Sequence, residues 1–462
     1  MTARASILRS RGPLWAALVL GCLPAALAVL RLGRLHPDEV YQALEPAFFR
    51  VHGYGVLAWE WKAGLRNWAL PLSLAALLRA AGFLGIRDPW AVRALIGLPI
   101  AALDAAALLA AFRFGRRFSP SAGWTALLAL GLLPATWAYG GRTLSEPLSA
   151  AALVLAVDAL TSAGSRARTL LLGGAALGAA VVLRYGSGPA VLGALLWLAA
   201  RRMWRPLGWV AAGGAAVALA LAALDLWTWG APFHSLGAWA EFNVLSDGAV
   251  RAFGASPPGF YAPLLLGLVP LWVWAALAFA LFRPGEGEPL VGLPLAMAAA
   301  GLVALLATPH KEERFLYPVI VLLVLEAAPA LARARAAMSF GWSTAVALAS
   351  LVLTLLARPT TIDPRGDEFR ALVRVARSPE VTGILLVNEG LWGAGGYFYI
   401  GKRIPWLTSD WPADASFRIA MADRRFNRAI TFEGRALEAL TEAGFRVIGS
   451  EGRETMLARE SR

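Results

Sequence analysis

His310, Lys311, Glu312, Glu313 and Arg314 follow one another without a break between two apolar runs, at about 289–308 and 315–332. Folding alone asks only for a turn at the mouths of two such helices, and Gly, Ser or Pro would supply it. Two bases, two acids and an imidazole at a membrane surface suit a site that holds an anionic group by charge-assisted hydrogen bonds. A second constellation, His36-Pro37-Asp38-Glu39, follows the first apolar run at 12–30. Adjacent carboxylates at a membrane edge must be solvated or paired. Pro37 with Asp38 and Glu39 in the first turn of a helix suits the helix dipole. One of the two carboxylates can also accept a proton from an attacking hydroxyl. The readings are compatible, because a helix start fixes the direction of a carboxylate.

Further candidates fall in the same class of loop. Trp59-Glu60-Trp61, followed by Arg66, offers aromatic faces that serve either an interfacial belt or a platform for sugar rings. Arg142 and Glu146 open one helix, Arg184 ends another, and Asp225 runs through Trp229 to His234 and Asn243. All four histidines, at positions 36, 52, 234 and 310, lie in loops and none within a span. Acids, bases and aromatics gathered on one leaflet suggest group transfer from a lipid phosphate to a hydroxyl.

Long apolar elements must position these side chains. The chain has 462 residues, 58% apolar and 16% charged, with a mean hydropathy of +0.59. That composition defines a polytopic membrane protein. Apolar segments lie at about 12–30, 91–112, 121–139, 144–162, 169–184, 188–200, 206–226, 260–282, 289–308, 315–332 and 341–357. Arg clusters at 4–11, 113–117, 166–168, 201–205, 283 and 333–335 occupy alternate connections. The positive-inside rule places these in the cytoplasm and every chemistry-bearing loop outside. The net charge of +13 is thereby explained by topology, with no call for nucleic acid. Only three of the 43 basic residues are Lys, an Arg bias typical of a GC-rich bacterial genome, so a bacterial inner membrane with a periplasmic site is expected.

Residues 69–86 are apolar but carry Arg79, and a crossing there would turn the Arg clusters outward. We read them as a juxtamembrane or re-entrant helix, giving eleven spans and an external C-terminus. Cys22 is the only cysteine, so no internal disulfide forms. The run around it stays apolar to residue 30, as in an uncleaved first helix. From about Arg358 the composition changes. Strand-like runs at 383–387 and 445–448 and amphipathic patterns at 367–377 and 433–443 predict a small α/β soluble domain over 358–462, outside a membrane domain over 1–357. Gly393 to Gly396 reads as a turn, not as a phosphate cradle.

The motifs HPDE (36–39), WEW with Leu65-Arg66, RTLSE (142–146), Asp225…Trp229-Gly230…Phe242-Asn243 and HKEERF (310–315) occur in an order that resembles glycosyltransferase family 22. These are the lipid-phosphate-mannose-dependent α-mannosyltransferases of GPI-anchor and lipid-linked oligosaccharide synthesis, and the resemblance covers about residues 30–335. It implies an all-α GT-C-like membrane fold and inverting transfer from a polyprenyl-phosphate sugar to a glycan or glycolipid hydroxyl. It implies no cofactor and no metal. Asp38 takes the role of base, with Glu39 in reserve or positioning. His310, Lys311 and Arg314 are assigned to the donor phosphate. His36, Trp59, Glu60, Arg66, Arg142, Glu146, Arg184, His234, Asn243, Glu312 and Glu313 are expected to bind substrate or orient the bases. The C-terminal domain lies outside the resemblance.

Two other classes fit the sequence less well. A lipid or glycolipid transporter needs charges or broken helices at mid-depth in several spans. The acids well inside segments are Asp104, Asp158 and Glu326, which form a poor path. A receptor or scaffold leaves the acid and base clusters unexplained.

Overall fold

Runs of Ala, Leu, Val and Gly without a polar stripe give helices that are apolar all round, the form a bilayer requires. The computed structural model describes residues 2–162, 166–283, 292–358, 365–390, 393, 395–412 and 415–460, without the side chains of 2–10. They fall into two compact units. The first comprises Met1–Ala25, Glu60–Ala69 and Leu98–Thr361, the second Ala26–Trp59, Leu70–Gly97 and Ile362–Arg462.

All eleven apolar segments of the sequence are helical among the described residues. Among the described residues four helices are long and apolar enough to cross a membrane: Arg11–Arg31, Pro89–Arg116, Trp204–Trp229 and Glu313–Ala336. Two segments expected as single helices are broken. The run at 260–282 divides into Pro258–Leu268 and Leu271–Phe282, bent by 98°. The run at 121–139 divides into Pro120–Gly131 and Pro134–Tyr139. Proline explains both breaks. Pro270 and Pro134 cannot donate to the ladder, and each pushes its predecessor, Val269 or Leu133, into extended backbone. Ala69–Phe83 forms a helix of 15 residues. At about 1.5 Å per residue, that is shorter than the hydrocarbon core.

Within the first unit, Ala167–Leu183 and Trp204–Trp229 cross where glycine removes the side chain. A Cβ at Gly174 would stand 2.0 Å from the Val210 carbonyl oxygen, and one at Gly213 would stand 2.1 Å from that of Leu171. Backbones approach this closely only across small residues. The three intramembrane acids each serve a local contact. Asp104 accepts from Gly141 N at 3.0 Å, Asp158 from Arg113 Nε at 2.8 Å, and Glu326 from Gly292 N at 3.1 Å. Each acts as a packing partner between segments of the chain.

The second unit contains a five-stranded sheet. Its strands are β1 (Ile384–Val387), β2 (Trp406–Ser409), β3 (Arg428–Thr431), β4 (Arg446–Glu451) and β5 (Glu454–Ala458), in spatial order β2-β1-β3-β5-β4. β1 pairs in parallel with β2 and β3, and β5 runs antiparallel to β3 and β4. Helices Gly366–Arg377 and Gly434–Glu442 match the two amphipathic patterns of the sequence. Leu385, Val387, Phe417, Ala429, Leu440, Phe445 and Leu457 pack together in its core. Gly393 donates to the Gly390 carbonyl at 3.0 Å, as in a turn, whereas Gly396 opens a short helix, Gly396–Ile400. Ala394, part of the same expected turn, lies outside the described residues.

Candidate active site

Pro37 turns the chain after the first helix, and its carbonyl accepts from Val40 N at 3.0 Å and Tyr41 N at 2.9 Å. Glu39–Leu44 then winds as a π-helix, closed by Glu45 N donating to Val40 O. Wide turns of this kind are rare and frequent at functional sites. Asp38 occupies the N-cap position, yet its side chain makes no capping hydrogen bond. Asp38 N donates to His36 Nδ1 at 3.2 Å, and that nitrogen lies 3.2 Å from Asp38 Oδ1. Nδ1 accepts from the amide when unprotonated, or donates to the carboxylate when protonated, but does not do both.

The adjacent carboxylates differ in environment. Asp38 keeps 19% of its side-chain exposure. Glu39 is 1% exposed and accepts from Leu35 N, closing the loop on itself. These three residues, His36, Asp38 and Glu39, belong to the second unit.

The basic constellation belongs to the first unit and is built around Glu146, which is fully buried. Arg184 Nη1 donates to Glu146 Oε1 at 2.7 Å, and Arg314 Nη1 approaches the same oxygen at 3.2 Å. Glu312 grips Arg314 from its other edge, with Oε2 at 2.6 Å from Nε and Oε1 at 3.2 Å from Nη2. Its Oε1 also meets His310 Nε2 at 3.1 Å. The Arg184 guanidinium lies 4.6 Å from the Phe315 ring centroid, and that of Arg314 lies 5.3 Å from it. Five expected residues, His310, Glu312, Arg314, Glu146 and Arg184, thus form one network.

Lys311 stands apart chemically. It is 6% exposed, donates to the Thr308 carbonyl oxygen, and forms no ion pair among the described residues. Arg142 is buried, with Nε donating to Ala138 O at 2.9 Å. Glu313 is half-buried and opens the short turn Glu313–Leu316.

Asn243 sits in a second π-helical segment, Glu241–Leu245, and donates to Trp239 O at 2.9 Å. Rings tie that segment to the basic network: Phe253 lies 6.3 Å from Phe242 and 5.0 Å from His310. Arg66 Nη2 reaches Glu60 Oε1 at 3.7 Å. Trp61 is 2% exposed and packs 4.4 Å from Trp68, so its ring offers no open face to a sugar. Trp59 is 36% exposed and is grouped with the second unit. His234 stacks on Trp229 at 5.5 Å, and Trp229 Nε1 donates to Arg66 O at 3.1 Å.

The sequence places Asp225 among the candidates, but not the buried network around it. Asp225, 0% exposed, accepts from Ser235 N at 2.9 Å and from Ser235 Oγ at 2.6 Å. Ser235 Oγ in turn meets Tyr185 OH at 2.6 Å, to which Asn67 Nδ2 donates at 3.1 Å. An acid at the end of an apolar run was the available signal. Its partners are 10 and more residues away, and no pattern in the sequence connects them.

Apolar helices with a buried acid–base network between them, joined to a small mixed α/β sheet, define a polytopic membrane protein of the GT-C type. Its fold is similar to that of ArnT from Cupriavidus metallidurans, solved bound to undecaprenyl phosphate, with a TM-score of 0.61 over 99% of this chain and 98% of that one at 13% identity. The archaeal oligosaccharyltransferase AglB from Archaeoglobus fulgidus, in complex with an inhibitory peptide and a dolichol-phosphate, gives 0.54 over 92% of this chain and 69% of that one at 14% identity. The sequence profile of the Alg9-like mannosyltransferase family matches residues 15–362, and the chain belongs to that family. GPI mannosyltransferase 3 of Yarrowia lipolytica is 32% identical over 308 residues, covering 64% of this chain and 58% of that protein. The chain thus spans less than two thirds of the length of this relative.

Proposed function

We propose that this protein transfers mannose from a polyprenyl-phosphate donor to a hydroxyl of a glycan or glycolipid acceptor, with inversion, at the outer face of a bacterial inner membrane. Asp38 takes the proton of the attacking hydroxyl as the new glycosidic bond forms. The bond between the sugar and the lipid phosphate breaks, and the phosphate leaves with its electron pair. Lys311, Arg314 and His310 hold that phosphate, while Glu146 and Glu312 fix the guanidinium and imidazole groups. Asn243, His234, Arg66, Glu60, Arg142, Glu313 and Trp59 are assigned to binding the sugar and the acceptor. The eleven helical segments are taken as eleven crossings, and residues 358–462 as a domain on the outer side.

The observation that carries this reading is Lys311. A buried ammonium that donates to a neutral carbonyl and forms no ion pair among the described residues is costly, and an arriving phosphate compensates it. The solved structures of similar fold, which hold undecaprenyl phosphate and dolichol-phosphate, are consistent with a polyprenyl-phosphate donor. The test is purified protein with synthetic polyprenyl-phosphate mannose, scoring release of lipid phosphate with and without glycolipid acceptors. Acceptor-dependent release is expected, falling by about 10²–10⁴ in Asp38→Asn, the range of general-base catalysis. Release that Asp38→Asn leaves unchanged would remove the base assignment. Failure with mannose, followed by success with another lipid-phosphate sugar, would correct the donor alone.

A further inference from the structure

Asp38 lies seven residues after Arg31 and seven before Glu45, in a loop that catalysis needs held still. The groups that hold the loop come from the C-terminal part of the same compact unit. Arg370 Nη1 donates to the Arg31 carbonyl at 3.0 Å, and Arg34 Nε donates to the Gly393 carbonyl at 3.4 Å. Beyond Asp38, Glu45 is 0% exposed and bridges two backbone amides. Its Oε2 accepts from Val56 N at 2.7 Å, and its Oε1 from Phe398 N at 2.5 Å. Tyr54 meets Tyr397 edge to face at 5.3 Å, and the Arg403 guanidinium lies 5.8 Å from the Tyr54 ring centroid. Gly396 leaves room for the Glu45 carboxylate, since a Cβ there would stand 2.6 Å from Glu45 Cδ.

We propose that the α/β domain positions the base, with Glu45 as the positioning residue that clasps the Asp38 loop to Phe398. The inference rests on Asp38 being the base. The loop is anchored on both sides of Asp38, so the carboxylate inherits its place from that domain. When ionised, Glu45 bonds both amides by presenting two acceptor oxygens. In Glu45→Gln one of them becomes an NH₂ donor facing an N–H, and that bond is lost. A misplacement of about 1 Å in a catalytic group lowers turnover by about 100-fold.

Full-length protein in nanodiscs carries the test, with two readouts. The first is amide hydrogen exchange over residues 35–44. The second is kcat and donor KM for synthetic polyprenyl-phosphate mannose with the acceptor fraction that supports release. Glu45→Gln breaks the clasp from the loop side, and Gly396→Ala from the domain side. Gly401→Ala is the control: it closes the same short helix at φ 66, against φ 63 for Gly396, but a Cβ there meets nothing within 4 Å. Faster exchange and a kcat lowered about 10- to 100-fold, with donor KM within about twofold, are expected for the first two variants and not for the control.

Unchanged exchange in Glu45→Gln and Gly396→Ala overturns the proposal, as does faster exchange with wild-type kcat. If Gly396→Ala does not fold, Glu45→Gln decides alone. The exchange arm does not depend on which residue is the base. An active Asp38→Asn therefore defeats the base assignment while the clasp is still read directly.

Discussion

Lys311 brings its charge into a buried position where only a backbone carbonyl receives it. Burying an unpaired charge is destabilising, so stability and donor binding should move in opposite directions when it is removed. Lys311→Met keeps the volume and removes the charge. It is expected to raise the apparent melting temperature, by an amount equivalent to about 1–3 kcal/mol, while raising donor KM by at least about 10-fold. A fall in stability with unchanged KM would reassign Lys311 to holding the Thr308 turn. Glu146 should behave in the reverse way. Arg184 and Arg314 share its carboxylate at 0% exposure; in Glu146→Gln Arg314 keeps Glu312, whereas Arg184 is left short of a counter-charge. A loss of about 3–5 kcal/mol is expected, seen as poor folded yield. Adding Arg184→Met to Glu146→Gln should recover part of it, because residues in one network do not contribute independently. Full additivity of the two changes would mean that the network is not a unit.

At the scale of elements, the crossing of Ala167–Leu183 with Trp204–Trp229 depends on Gly174 and Gly213, where backbone oxygens stand 2.0 and 2.1 Å from a Cβ position. Gly213→Val must part the helices and is expected to abolish folded yield. Gly208→Ala on the same helix meets nothing within 4 Å and should be neutral, or stabilising by up to about 1 kcal/mol. Size-exclusion profiles of the two variants in detergent separate these outcomes; a monodisperse Gly213→Val peak would contradict the packing argument. The helices were legible because apolar runs of this length have few alternatives in a membrane. The breaks at Pro134 and Pro270 were written in the sequence, but continuous apolarity on both sides hid them. β1 and β4 were readable as apolar runs, whereas β2 and β3 are four residues each and β5 is five, too short to show a period. Of the site, HKEERF and RTLSE were legible as clusters of residue types, and their union through Glu146 was not. The Glu45 clasp was out of reach altogether, since its partners are 353 positions apart.

Across the whole molecule, charge patterning makes two further demands. Burial raises the carboxyls of Glu45, to about 7, and of Glu368 and Glu389, the last aided by a hydrogen bond with Glu454. An acid with a folded pKa above its unfolded value holds a proton that the unfolded chain releases. Its stability contribution is therefore complete below about 4.5 and is lost as pH rises through 7, about 3 kcal/mol for Glu45. The unit carrying the sheet should melt lower at pH 8 than at pH 5.5, with a smaller difference in Glu45→Gln. A melting temperature that rises with pH would mean that these carboxyls are solvated.

The second demand concerns sidedness, where Arg clusters on alternate connections are the only guide. Cys22 is exposed, so Cys22→Ser gives a background for single cysteines. In it, Glu438→Cys on an exposed position of the α/β domain should react with an impermeant maleimide added outside intact cells. Ala336→Cys, beside Arg333 and Arg335, should react only after permeabilisation. The opposite pattern would put the Arg-rich connections outside, against the charge rule, and would carry Asp38 and Lys311 to the cytoplasmic face. The outward site rests on that one inference, and two labelled cysteines decide it.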